Sequence, residues 1–134
     1  MTIADASLPL QKAILSALKT ANIAGQRIYD AVPASPVFPY VSFGPFDVLT
    51  EEADEYEGSD ATLQIDGWSR ATGSVEVKQI GRAIRAALHG ASLPLDENQR
   101  LVALTVQSVR YTNDPDGLTS HAIVMVRART EPSA

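Results

Sequence analysis

YDAVPASPVFPYVSFGP occupies residues 29–45. Four prolines, Pro33, Pro36, Pro39 and Pro45, stand there among aromatic residues. Proline removes an amide donor and fixes φ, so the stretch is neither a helix nor the interior of a central strand. Tyr29, Val32, Phe38, Tyr40, Val41 and Phe43 make it too apolar for a solvated linker. It reads as an ordered crossing. A short strand over 27–32 gives way to an extended Pro-rich connection, and a second strand starts near Tyr40.

Outward from this crossing, helix and strand periods alternate. Upstream, Leu10, Ile14, Leu18 and Ala21 recur at helical spacing over 9–21, with Ser7 as N-cap, Pro9 in the first turn, and Asn22 and Gly25 as stop signals. Downstream, 60–68 alternates: Ala61, Leu63 and Ile65 face one way, Thr62, Gln64 and Asp66 the other. A break at 70–73 precedes a second helix over 74–89. Val77, Ile80, Ile84, Ala87 and Leu88 form its apolar stripe, Lys78, Arg82 and Arg85 a cationic one, and Gly90 its end. Two long strands, 101–113 and 118–130, flank Asp114-Pro115-Asp116-Gly117, a strong turn signal. Val102, Leu104 and Val106 share one parity, and Val109 and Tyr111 the other, which predicts a bulge near Gln107 and Ser108. Trp68, at a strand end, is expected to pack between sheet and helix.

The order is α-β-β-β-α-β-β. The 134 residues fit one domain, 1–134, with flexible ends at about 1–7 and 131–134. Two helices cannot cover both faces of such a sheet. The expected fold is therefore α+β: a two-layer domain with a mixed, mainly antiparallel sheet and both helices on one face. Ile123 and Met125 alternate with Val124 and Val126, so the last strand is apolar on both faces. That predicts either a thick core or a partner subunit on the helix-free side.

No constellation carries enzymatic chemistry. The chain has no cysteine, which excludes disulfides, thiolate metal sites and cysteine nucleophiles. His89 suits the dipole at a helix end and His121 a strand face. Neither has metal-ligand spacing. There is no G-x-S-x-G elbow and no phosphate loop. The acidic run Glu51, Glu52, Asp54, Glu55, Glu57 and Asp60 lacks the spacing of a calcium loop and reads as a solvated, mobile loop. No cofactor is expected. The formal net charge of −5 argues against holding a nucleic-acid backbone, and no apolar run is long enough to span a membrane.

RIYDAVPASPVFPYVSFG, DGWSRATGSVEVKQIGRAIRAAL and YTNDPDGLTSHAIVMVRART follow one another in the chain. Together they resemble, in order, the blocks of a family of phage tail-completion proteins, over about 10–130. The resemblance implies a structural ring subunit, usually one of six copies, that terminates the tail tube of a siphovirus-like particle, prophage or gene transfer agent. It implies the major tail tube protein and the head connector as partners, a place at the head–tail junction, and synthesis in the host bacterial cytoplasm. Another connector or tube ring subunit is the neighbouring reading, and a small nucleic-acid-binding or regulatory module is the reading from a different class. As a ring, the chain is expected to use Lys78, Arg82, Arg85, Ile123 and Met125 between subunits. Glu51, Glu52, Asp54, Glu55 and Glu57 would face the channel, where they repel passing DNA, or dock on a partner.

Overall fold

The structure, a computed structural model, describes residues 5–53 and 56–133, without the side chains of 50–57. The chain runs α1 (Ser7–Thr20), a 3-10 turn (Ile23–Gln26), β1 (Ile28–Tyr29), β2 (Tyr40–Ala53), β3 (Tyr56–Ser69), α2 (Val75–Leu88), β4 (Gln99–Asn113) and β5 (Ser120–Pro132). The element order and the two-layer α+β class are those expected from the sequence.

Helix α1 starts two residues before the expected position. Ala6, rather than Ser7, is the N-cap, and the carboxylate of Asp5 just before it accepts the Ser7 N–H at 2.8 Å. Pro9 then lies among the first four residues, where a missing N–H breaks no helical bond. At its other end, Asn22, Ala24 and Gly25 take positive φ and turn the chain into β1. Helix α2 ends where Gly90 adopts φ +73°, a conformation open to glycine.

The five strands form one sheet in the order β1-β2-β3-β5-β4. The β1–β2 pair is parallel, and the three others are antiparallel. β1 has two residues instead of six. It pairs only with Val41 and Ser42, and the chain then leaves the sheet, so Val32 is exposed. The Pro-rich crossing is thus an outer strap whose last residues return the chain at Tyr40. The predicted bulge is present as a register shift between Val106 and Ser108. A second shift, between Phe43 and Phe46, contains Pro45 on the outer strand β2, where a missing amide is tolerated.

Strand alternation sorts the sheet into two faces. Ala61, Leu63, Ile65, Val124, Val126 and Ala128 pack with Leu104, Val106 and Val41 under the helices, against Leu10, Ile14 and Leu18 of α1 and Ile80, Ile84 and Leu88 of α2. The polar pair inside this layer satisfies itself, since the Ser59 and Thr130 hydroxyls lie 2.7 Å apart. Gly81 and Gly67 let the layers meet. A β-carbon on Gly67 would stand 2.8 Å from Ile80 Cγ2, and one on Gly81 would stand 2.8 Å from the Tyr111 ring.

β3 begins four residues earlier than the alternation predicted. Residues 51–53 and 56–59, expected as loop, are strand, with Glu51 across from Gly58 and Glu52 across from Glu57. Hairpin hydrogen bonds run through the backbone and hold despite the charge of the sequence. The β3–β5 ladder starts only at Ser59, so the acidic end of this hairpin is a two-stranded arm extending past it.

Candidate functional site

The helix-free face carries the other parity of each strand: Tyr40 and Ser42; Asp60, Thr62, Gln64, Asp66 and Trp68; His121, Ile123, Met125, Arg127 and Arg129; and Thr105, Ser108, Arg110 and Thr112. Trp68 belongs here and not beneath a helix. Its parity is that of Asp66, because Gly67 is the residue facing Ile80. The half-buried indole stacks on the His121 ring at 3.8 Å and 12°, lies 6.2 Å from Tyr40, and donates its N–H to the Ser42 hydroxyl at 3.0 Å. Phe38 and Tyr29 extend the row, with ring centres 5.0 and 5.9 Å from Tyr40. The Arg70 guanidinium lies 4.2 Å over Phe38. Trp68→Ala is expected to cost about 1–3 kcal/mol, less than a fully buried tryptophan, because part of the ring already meets solvent. An unchanged urea midpoint would show that the stack contributes nothing to the isolated fold.

Asp66 is the buried acid of this face. Its Oδ1 lies 2.6 Å from His121 Nε2 and accepts from Gln64 at 2.9 Å. The arrangement satisfies a buried carboxylate and fixes the histidine ring. The hydroxyl of Ser42, the residue across from Asp66, accepts the Trp68 N–H and is not hydrogen-bonded to His121 among the described residues. His89 caps α2, and its Nδ1 accepts the Val106 N–H at 3.1 Å. That acceptor role ties helix end to strand, which differs from the dipole contact expected of a charged ring. Among the described residues, no group of three or more histidine or acidic side chains is placed to hold a metal. An opening of about 530 Å³ lies between 70–74 and 113–120. Its polar lining is occupied internally: Arg70 donates to the Thr119 hydroxyl, and the Ser120 hydroxyl to Asn113.

Two acids on turns and strands are held ionised. Hydrogen bonding from Arg127 lowers the Asp60 pKa below the usual carboxylate value, and the Leu118 and Thr119 donors lower that of Asp116. A depressed carboxyl binds its proton less well folded than unfolded. Its contribution is therefore full above about pH 4 and is lost as pH falls through the depressed value. Asp60→Asn should flatten the acid limb of a melting-temperature profile below about pH 4. An unaltered limb would remove Asp60 from the acid response.

The sequence-predicted assembly residues divide between the two faces. Lys78, Arg82 and Arg85 are exposed on α2, with Lys78 Nζ 6.0 Å from the Tyr111 ring centre. Ile123 and Met125 are half-buried on the helix-free face, so the structure does not bring them together with the cationic stripe. Glu51, Glu52 and Glu57 stand on the backbone of the two-stranded arm. Asp54 and Glu55 lie outside the described residues. Sequence reading missed the Asp66–His121–Trp68 cluster. Parity had already put Asp66 outside the helix layer, but its pairing with a residue 55 positions away has no local signature.

Residues 12–131 match the family model described as Tail completion protein gp17. No curated protein matches the sequence. A solved structure described as the virion of a native gene transfer agent (GTA) particle contains a chain 30% identical to this one. The likeness covers 94% of this chain and 97% of that one, with a TM-score of 0.84. A two-layer fold that the family model matches from within α1 into β5 identifies the chain as a member of the tail completion protein gp17 family.

Proposed function

We propose that this chain is a structural virion subunit that forms a ring, of six copies, at the upper end of a phage-like tail. The ring terminates the tail tube and joins it to the head connector. The observation that carries this reading is the family match over 12–131, together with likeness over nearly the whole chain to a protein of a gene transfer agent virion. Ile123 and Met125 on the helix-free face and the cations of α2 are its subunit surfaces. The acidic arm faces the channel, where it repels passing DNA, or docks on a neighbouring protein. The function needs no cofactor and no base-reading side chain, in keeping with the negative net charge. Electron microscopy of particles made without this protein tests the proposal. The expected result is tails of uncontrolled length, or finished tails detached from heads. Normal tails on normal heads would overturn it.

A further inference from the structure

Each outer edge of the sheet is half covered, and the uncovered halves differ in charge. Over the first part of β4, the connection from α2 closes the edge. Gly90 N–H donates to the Leu104 carbonyl at 2.8 Å, Val106 N–H to His89 Nδ1, and Pro94 bridges to Arg100. Past the bulge this cover stops. Asp114 N–H bonds inward to Thr119, so strand alternation turns the backbone groups of Val109, Tyr111 and Asn113 outward. Among the described residues, nothing pairs with them. At the opposite edge β1 pairs with Val41 and Ser42, and among the described residues no strand pairs with the outer side of β2 from its bulge to Ala53. Exposed edges of this kind are templates for another strand.

The open part of β4 is cationic on both faces. Lys78 and Arg82 act on Tyr111 from the helix side, and Arg110 is exposed on the other face without a partner among the described residues. The open part of β2 carries Glu51 and Glu52. We propose that 109–113 of one copy takes 48–52 of a second copy as an added antiparallel strand. This rests on the ring reading above and supplies its contact.

The sheet's own topology fits this pairing. Three antiparallel pairings separate β2 from β4, so the two edges run in opposite directions within one chain. A copy rotated about an axis along the strands presents β2 to β4 antiparallel. With Tyr111 across from Thr50, outward groups meet outward groups, Arg110 stands opposite Glu51, and Val109 stands opposite Glu52. Ala53 then falls opposite Ser108, where the cover of β4 begins. The joined edges are unlike, so the contact runs head to tail. The open halves sit at opposite ends of the sheet, and each copy adds four strands, β2, β3, β5 and β4, to the joined sheet, so the pairing requires a stagger of about eight residues, or ~26 Å, over a repeat of ~19 Å. That gives a strand tilt of about 54°, steeper than the ~35–45° of ordinary closed barrels.

The cysteine-free chain allows a direct test. Arg110→Cys and Glu51→Cys in one chain, assembled on particles lacking the native protein, should form disulfide-linked multimers under mild oxidation. The control, Arg110→Cys with Asp47→Cys, should link at least about tenfold less, since only opposed positions meet disulfide geometry. Arg110→Glu alone and Glu51→Arg alone should each weaken assembly about tenfold, and the double swap should recover it. Rings that form while the opposed cysteines link no better than the control, or a double swap that fails to recover, overturn the edge pairing and leave the ring standing. Particles that finish and join their tails without this protein overturn the ring itself.

Discussion

Ile84→Ala is expected to destabilise the fold by about 2–5 kcal/mol, the range for truncating a buried aliphatic side chain with incomplete collapse around it. Ile84 has no exposed surface and sits at the middle of the stripe that α2 buries. It belongs to the same cluster as Leu18 of α1 and Leu63, Val124 and Leu104 of three strands. One cavity there is felt by both layers. Small domains have only about 5–15 kcal/mol of net stability, so the variant should unfold at much lower urea with an unchanged slope. A loss below about 1 kcal/mol would show that the helix slides to fill the space.

Arg82→Glu with Arg85→Glu is the second large effect, and it should separate assembly from folding. Both side chains are exposed. Surface changes of this kind usually stay within about 0.5 kcal/mol, so the urea midpoint should barely move. Ring formation is expected to need about a hundredfold more protein at low salt, because two attractions per contact become repulsions. Mass measurement of intact assemblies over a concentration series would read this, and added salt should narrow the gap. A variant that forms rings at wild-type concentration and salt reduces the stripe to a solvated helix face.

The parts legible in the sequence were those governed by local periods. The spacing of Ile80, Ile84 and Leu88 gave the buried face of α2, and the parity change after Val106 gave the bulge. The errors came where a local signal competed with a longer-range constraint. Trp68 reads as inward from its place at a strand end just before the second helix, although the alternation of Leu63 and Ile65 already puts position 68 outward. Glu51, Glu52 and Glu57 read as loop because side-chain charge disfavours strand. The pairing that holds them is between backbones and is invisible to residue type. Strand β1 read as too long because Ala31 and Val32 suit a strand. Its length is set by how much of β2 lies alongside it, which no residue in β1 encodes. The assembly residues were chosen for charge and apolarity, and only the covers on the two edges revealed where strand surface is left open.

The strand order has a consequence for how the chain is made. β3 lies between β2 and β5, so its inner ladder joins residues 59–69 to 120–130. A ribosome delivers β2 and β3 long before their partner exists. Until β5 emerges, β3 has one unpaired edge and half of the helix layer has nothing to cover. Such non-local pairing slows folding and leaves a template for wrong contacts during synthesis. A nascent chain stopped after Asn113 is therefore expected to stay protease-sensitive and bound to holdase chaperones, while release past Pro132 should make it compact in one step. A stable, protease-resistant product from the shorter chain would show instead that the β2–β3 hairpin and both helices hold together without the last strand.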